Sequence, residues 1–293
     1  MVGRNPFPCI QDAVLFQWYK PVPPLSDFIE HFWLYDDYAS AYVHERILPT
    51  GSFELVFNLC DNQLRIYEDE PRLRSCYSGA IVSGPYEGFF VTDRAEEASV
   101  LGVHFKPGGA FPFFGLSAYE LANTHLDLAM IWGPDAEDIR ERLAVAPSSE
   151  HRFRVLESAL LSRLRRPLEH HPAVSLALHG LRSGNSHAVI RKLAREAGLS
   201  DRRFINVFRS EVGLNPKLFH RVQRFQRVLI RMHRLPEPEW GQLALEAGYF
   251  DQSHLIRDFL AFSGFSPADY LRRLKELHNK RLHVKSNHLP VSG

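Results

Sequence analysis

Apolar positions along this chain follow two periods, with the change near residue 110. Upstream, short apolar or alternating runs are separated by Pro, Gly, Asp and Asn: HFWLY from His31, HERILP from His44, FELVFNL from Phe53, QLRIY from Gln63, GFFVTD from Gly88 and SVLGVHF from Ser99. Runs of period two between turn residues predict a series of β-strands. Strands this short with close turns predict an antiparallel β-barrel or jelly roll, an architecture that can enclose a small ligand. Downstream the period lengthens. Ser117 caps a short helix through Leu121, Asp135–Ala144 predicts another, and Phe153, Leu156, Leu160, Leu161 and Leu164 place an apolar stripe on a helix closed by Arg166-Pro167.

The helical period continues to the end of the chain, and there it is written twice. LAREAGLSDRRFINVFRSEVGLNPKLF begins at Leu193 and LALEAGYFDQSHLIRDFLAFSGFSPADY at Leu243; the second needs one extra residue, around Ser253, to stay aligned. Leu193, Ala194, Glu196, Ala197 and Gly198 recur as Leu243, Ala244, Glu246, Ala247 and Gly248, and Phe208, Gly213, Pro216 and Phe219 are answered by Phe259, Gly264, Pro267 and Tyr270. Ile190, Leu193, Ala194 and Ala197 give the first helix one apolar face. Gly198 then supplies the positive φ that ends it, and Ser200 caps the next helix; Gly248 and Asp251 repeat both roles. The second helices bury Phe204, Ile205 and Phe208, or Leu255, Ile256 and Phe259. Each copy therefore predicts a helix-turn-helix, over 187–211 and 238–262. Between them Asn215 and Pro216 start a helix whose stripe, Leu218, Val222, Phe225, Val228 and Leu229, runs toward Leu235 until Pro236. About 17 residues at 1.5 Å each span roughly 25 Å, against the ~34 Å between successive major grooves, so one chain can read two grooves if the DNA bends or one helix inserts less fully.

The positions left exposed on the second helices are Asp201, Arg202, Arg203, Asn206 and Arg209 in copy one, and Gln252, Ser253, His254, Arg257 and Asp258 in copy two. Arginine bonds bidentately to guanine, asparagine and glutamine to adenine, and serine to phosphate or base edges. The alternative is two solvated faces of a helical bundle. Charge separates these readings: residues 181–293 hold 20 Lys and Arg against 10 Asp and Glu, a formal +10, while residues 1–180 hold 15 against 24, a formal −9. Basic residues exchange counterions with DNA, which an acidic half would repel.

The two copies, the connecting helix, and above all AGYFDQSHLIRDF followed by GFSPADYLRR, resemble the DNA-binding domain of the AraC/XylS transcriptional regulators over 185–278. The resemblance implies a bacterial transcription factor that binds double-stranded promoter or operator DNA as activator or repressor, meeting RNA polymerase if an activator. It places Arg202, Arg203, Asn206, Arg209, Gln252, Ser253, His254 and Arg257 at the DNA. Phe250 stands where the family usually has a small polar residue, and Leu260 and Ala261 where basic residues commonly follow. ERILPTGSFELVFNL and LGVHFKPGGAFPFFGLSAYELAN, with the helices after them, resemble over 15–165 the N-terminal half of a subset of these regulators. The resemblance implies a cupin-like half that serves sensing and dimerisation; His104 sits where the subset often has arginine.

Polar residues on apolar strands mark a candidate effector site. His44 and Arg46 share a face by alternation, Glu54 lies opposite Phe53, Leu55 and Phe57, and His104 and Lys106 repeat the pattern. Either Arg46 and Glu54 pair as a salt bridge or simply face water, or Arg46 and His104 meet a polar or anionic small molecule with Trp33 and Phe57 as apolar wall. The fold class expected is α+β: a cupin-like sensing and dimerisation domain over 1–166 with helices in 117–166, a linker at 167–186, an all-α DNA-binding domain over 187–278, and a flexible tail at 279–293. A homodimer is expected, using the Phe153–Leu164 stripe.

Other chemistries find little support. The fifteen histidines show no HxH or HExxH spacing, so neither a metal nor another cofactor is expected. Cys9, Cys60 and Cys76 are odd in number and lack CxxC spacing. Gly108-Gly109 lacks the lysine of a phosphate loop, and Ser52 and Ser83 lack a nucleophile elbow. With no apolar run long enough for a membrane and no leader, the chain reads as cytoplasmic rather than membrane-bound. Two alternatives to a ligand-responsive, non-enzymatic regulator stay open: a cupin-type enzyme fused to a DNA-binding module, and an N-terminal domain that only dimerises.

Overall fold

The computed structural model describes residues 2–4, 15–38, 44–61, 63–69, 72–93, 98–181, 186–234, 238–279 and 287–291. Its strands are β1 (Val2–Arg4), β2 (Leu15–Tyr19), β3 (Ile29–Tyr38), β4 (His44–Ile47), β5 (Glu54–Asn58), β6 (Leu64–Asp69), β7 (Arg72–Tyr77), β8 (Ala80–Ser83), β9 (Phe90–Asp93), β10 (Ala98–Phe105), β11 (His125–Asp127) and β12 (His288–Val291). All six runs read as strands are strands, numbered β3, β4, β5, β6, β9 and β10. The antiparallel N-terminal fold is as expected, but the barrel is open. A seven-stranded sheet, β1-β2-β3-β10-β5-β8-β11, faces a five-stranded one, β12-β4-β9-β6-β7.

Alternation sorts the seven-stranded sheet into two unlike faces. Phe32, Leu34, Leu55, Phe57, Leu101, Val103 and Phe105 form an apolar face, buried under α1 (Phe111–Phe114), α2 (Ala129–Trp132), α3 (Asp135–Ala144) and α4 (Ser149–Ser162). Phe153, Leu156 and Leu160 pack there and are essentially inaccessible. The stripe expected to make a homodimer thus belongs to the domain's own core; of its residues only Leu161 is exposed. The opposite face meets the second sheet, where the His125 ring contacts Phe90 and Tyr77.

The helices that follow are α5 (Pro172–Gly180), α6 (Ser186–Glu196), α7 (Asp201–Val212), α8 (Pro216–Met232), α9 (Trp240–Ala247), α10 (Gln252–Ser263) and α11 (Pro267–Asn279). Part of the segment expected as linker is α5, whose Ala173, Val174 and Ala177 are buried with Ile190, Leu193 and Phe208 in the helical core. Proline at N1 starts it and His171 caps it, so linker-like composition also fits a helix start. Leu235 and Pro236, the expected end of the connecting helix, lie outside the described residues, as do 182–185 and 280–286. The expected tail does not end free: His288–Val291 pairs antiparallel with β4, Leu289 is buried, and His288 Nδ1 lies 2.9 Å from the buried Glu45 carboxylate. Edge strands are where such an addition is available.

Candidate nucleic-acid interface

Both copies fold as helix-turn-helix units through local chemistry. In copy one, α6 ends at Gly198 with φ +66°, and the Ser200 hydroxyl accepts from the Arg203 N–H at 3.3 Å to start α7. In copy two, α9 ends at Gly248 with φ +90°, and the Asp251 carboxylate accepts from the His254 N–H at 2.7 Å to start α10. These caps fix where the extra residue sits. Leu199 and Tyr249 make equivalent bonds, to the Ala194 and Ala244 carbonyls, whereas the N-caps are Ser200 and Asp251. The insertion is therefore Phe250, in the turn, and not near Ser253. Helices α7 and α10 then run in step, 12 residues each.

In step, Arg202 matches Ser253, Arg203 matches His254, Asn206 matches Arg257, Val207 matches Asp258 and Arg209 matches Leu260. Arg202, Arg203 and Asn206 are exposed in copy one, as are Gln252, Ser253 and Arg257 in copy two. Two expected contacts, and one residue read as exposed, are engaged elsewhere. Arg209 lies 3.6 Å over the Tyr119 ring of the N-terminal domain. His254 is half-buried against Tyr249, and burial, with the Arg224 charge, lowers its pKa from the ordinary imidazole value. Asp258, read as exposed, is 3 % exposed. It accepts from Arg221 at 2.7 Å and from Arg224 at 3.2 Å, both on α8. Helical spacing alone put it beside His254 and Arg257; packing against the arginine side of α8 turns it inward.

Helix α8 joins the units. Asn215 caps it by accepting from the Leu218 N–H at 2.9 Å, and Leu218, Val222, Phe225, Val228 and Leu229 are buried as its spacing predicts. Its other side touches the N-terminal domain: Gln223 donates to the Thr50 carbonyl at 3.2 Å and Gln226 to the Pro49 carbonyl at 2.7 Å.

The N-terminal domain holds both recognition helices at the same place, the glycine that ends each. Gly213 ends α7 with φ +91°; a Cβ there would come 2.6 Å from Pro85 Cγ and 3.1 Å from the Ala118 carbonyl. Gly264 ends α10 with φ +75°; a Cβ would come 2.8 Å from both Arg46 Nη1 and Phe89 Cε1. Beside the first, Glu211 accepts from the His171 N–H at 3.0 Å and meets His170 at 3.1 Å. Beside the second, Arg46 donates to the Ser263 carbonyl at 2.9 Å and lies over the Phe89 and Phe265 rings at 3.9 and 4.4 Å. The C-terminal ends of α7 and α10 are thus covered, while their N-terminal ends carry the exposed polar residues.

This removes Arg46 from the candidate effector site, because its side chain points to the helical domain and pairs with neither Glu54 nor His104. Phe57 leaves too, being buried on the helix side of its sheet. Trp33, Glu54 and His104 do converge on the inner face. The Trp33 indole donates to Glu54 at 3.2 Å and lies where a Cβ on Gly102 would be 2.2 Å from the ring, so only glycine fits beneath it. Glu54 also bonds His104, whose ring stacks on His31 at 5.2 Å. Burial pushes the Glu54 carboxyl up, but the His104 charge and hydrogen bond, with His31 and Trp33, hold it below the ordinary carboxylate value. Strand register extends the row: His31, His104, Glu54, Ser83 and His125 are paired neighbours across five strands, and Ser83 bonds His125 at 2.7 Å. His31, Ser83 and His125 were not read as site residues; only register reveals them. Among the described residues no group of three or more His, Cys, Asp or Glu side chains has an arrangement that could hold a metal ion, and no helix is long and apolar enough to cross a membrane.

Residues 193–273 match the family model described as a helix-turn-helix domain, inside the segment whose residues resemble the AraC/XylS DNA-binding domain. Residues 17–127 match a domain of unknown function (DUF6597). No curated protein matches the chain. Among solved structures, ToxT from Vibrio cholerae strain SCE256 with a bound unsaturated fatty acid is 10 % identical, with 82 % of this chain and 94 % of that one covered at a TM-score of 0.44. ToxT from Vibrio cholerae O395 bound to (E)-4-(8-methylnaphthalen-1-yl)but-3-enoic acid is 11 % identical, with 82 % and 98 % covered at 0.45. The AraC-like transcriptional activator CuxR is 14 % identical, with 82 % and 83 % covered at 0.28.

Proposed function

We propose that this chain is a sequence-specific transcription regulator of the AraC/XylS type, whose N-terminal domain sets the geometry of two DNA-reading helices. One observation carries the reading: α7 and α10 leave their N-terminal ends exposed, with Arg202, Arg203 and Asn206 on one and Gln252, Ser253 and Arg257 on the other. The N-terminal residues of a recognition helix are those that reach base edges in the major groove. Arg209 and His254 come into contact with DNA only if their present partners release them.

The grip at Gly213 and Gly264 supports control by a small molecule. A ligand on the His31–His104–Glu54–Ser83–His125 row would lie on the inner face of a sheet whose domain grips both helices, so a shift between the sheets would change their relative setting. The row offers hydrogen-bonding and titratable groups beside the Trp33 indole, which suits a polar small molecule with an apolar portion.

Selection from a randomised duplex pool with the full chain, followed by affinity measurement against salt, tests the function. The expected result is a bipartite motif with half-sites about one helical turn, 10–10.5 base pairs, apart. Recovery of no preferred sequence, with equal affinity for every duplex, would overturn it.

A further inference from the structure

The residue inserted into the turn of copy two, Phe250, is 84 % exposed. Its neighbours are fixed. Tyr249 before it is buried under the Arg224 guanidinium, 4.6 Å from the ring, and Asp251 after it caps α10. The turn behind is braced by Arg224 donating to the Gly248 carbonyl at 3.3 Å and Arg227 donating to the Ala247 carbonyl at 3.0 Å. A phenyl ring is therefore held out to solvent on a rigid turn, separated from Gln252 and Ser253 only by the cap Asp251. Copy one has one residue fewer at this point and no ring there.

The proposed function supplies the occupant, and the inference rests on that reading. The turn lies at the N-terminal end of α10, the end that enters the major groove. Around the turn the guanidiniums of Arg221, Arg224, Arg227 and the exposed Arg257 outnumber the carboxylates of Asp251 and Asp258, which favours a polyanion over an apolar protein surface. The apolar group that a base pair presents in the major groove is the thymine C5-methyl, and phenylalanine is among the side chains that contact it. From this we infer that Phe250 is a specificity-determining residue that reads a thymine methyl beside the base edge read by Gln252 and Ser253. Copy two then selects a T·A pair through apolar contact as well as through hydrogen bonds.

The test uses the operator selected with the full chain. Each thymine is replaced in turn by deoxyuridine, which removes only the methyl, and wild type is compared with Phe250→Ala and, as a control, Arg257→Ala. One methyl buried against the ring is worth about fourfold in Kd. The expected result is one thymine, in the half-site where Arg257→Ala weakens binding, whose replacement costs wild type about fourfold and costs Phe250→Ala nothing. Equal sensitivity of wild type and Phe250→Ala at every thymine would overturn the inference and leave the DNA-binding reading standing. Unchanged affinity of Phe250→Ala for the selected operator would likewise overturn it and point to a protein partner for the ring. Failure to select any operator would overturn both readings. Circular dichroism and a thermal melt of Phe250→Ala, expected to match wild type for so exposed a residue, exclude misfolding as the cause of any loss.

Discussion

Along α7 the side chains at five matched positions are Arg202, Arg203, Asn206, Val207 and Arg209; along α10 they are Ser253, His254, Arg257, Asp258 and Leu260. The two helices share length, caps and a terminal glycine, yet they use charge oppositely. Copy one directs Arg202 and Arg203 outward and packs on α8 through apolar contact, with Phe208 against Phe219 at 5.6 Å. Copy two directs a carboxylate inward, into the Arg221 and Arg224 guanidiniums, and keeps one exposed arginine, Arg257. We propose that the two copies of this backbone divide the work, copy one supplying more of the electrostatic anchorage and copy two more of the sequence reading.

The largest expected effect tests the inward charge. Asp258→Ala leaves Arg224 buried without its carboxylate and is expected to cost about 3–5 kcal/mol of stability. Its counterpart Val207→Ala removes two methyl groups and is expected to cost about 1–2 kcal/mol. Urea unfolding of both variants measures the difference, and equal losses would break the distinction between the two modes of attachment.

Next comes the outward charge. Arg203→Ala is expected to weaken operator binding by about 1–3 kcal/mol, flattening the salt slope by about one if it meets phosphate and relaxing one base preference if it reads guanine. Titration by fluorescence anisotropy at several salt concentrations separates these outcomes.

A smaller effect tests the grip of the N-terminal domain. Gly213→Ala forces a side chain into left-handed backbone, at about 1–2 kcal/mol, and against Pro85 and the Ala118 carbonyl. Gly264→Ala carries similar backbone strain but meets the movable end of Arg46, along with Phe89, so it is expected to lower the thermal midpoint less. The reverse order would mean that copy two is the more tightly held.

The smallest effect concerns His254, which stands where copy one has Arg203. Burial and the Arg224 charge lower its pKa below the ordinary imidazole value of 6.5, so it is neutral at pH 7.5. His254→Gln is expected to leave the salt slope at pH 7.5 unchanged. Because the folded pKa lies below the unfolded one, the stability tied to neutral His254 is present above pH 6.5 and is lost as pH falls through the folded pKa. Denaturation of wild type and His254→Gln between pH 7.5 and 5 should diverge only at the acid end.

Much of this division is written locally in the chain. The glycines, the caps at Ser200, Asn215 and Asp251, and the stripe of α8 depend on neighbours a few residues away, so spacing reveals them. Tertiary partners do not follow from spacing. Alternation placed Arg46 on a strand face but gave no sign that helix α10 ends against that face. Asp258 looked exposed because its inward partners lie on α8, 34 and 37 positions earlier. The row through Ser83 and His125 depends on strand register across β5, β8 and β11. The place of the insertion was equally hidden, because matched letters resume only beyond it and the caps alone show that Phe250 is the extra residue.

The division of labour rests on charge, so its most direct test is the salt dependence of operator affinity in two double variants of the full chain. Arg202→Ala/Arg203→Ala is expected to flatten the slope of log affinity against log salt by close to two, since each phosphate contact contributes about 0.9. Gln252→Ala/Arg257→Ala is expected to flatten it by at most about one while broadening base preference in its own half-site. Equal slopes for the two variants, or a larger loss of slope from copy two, would contradict the account.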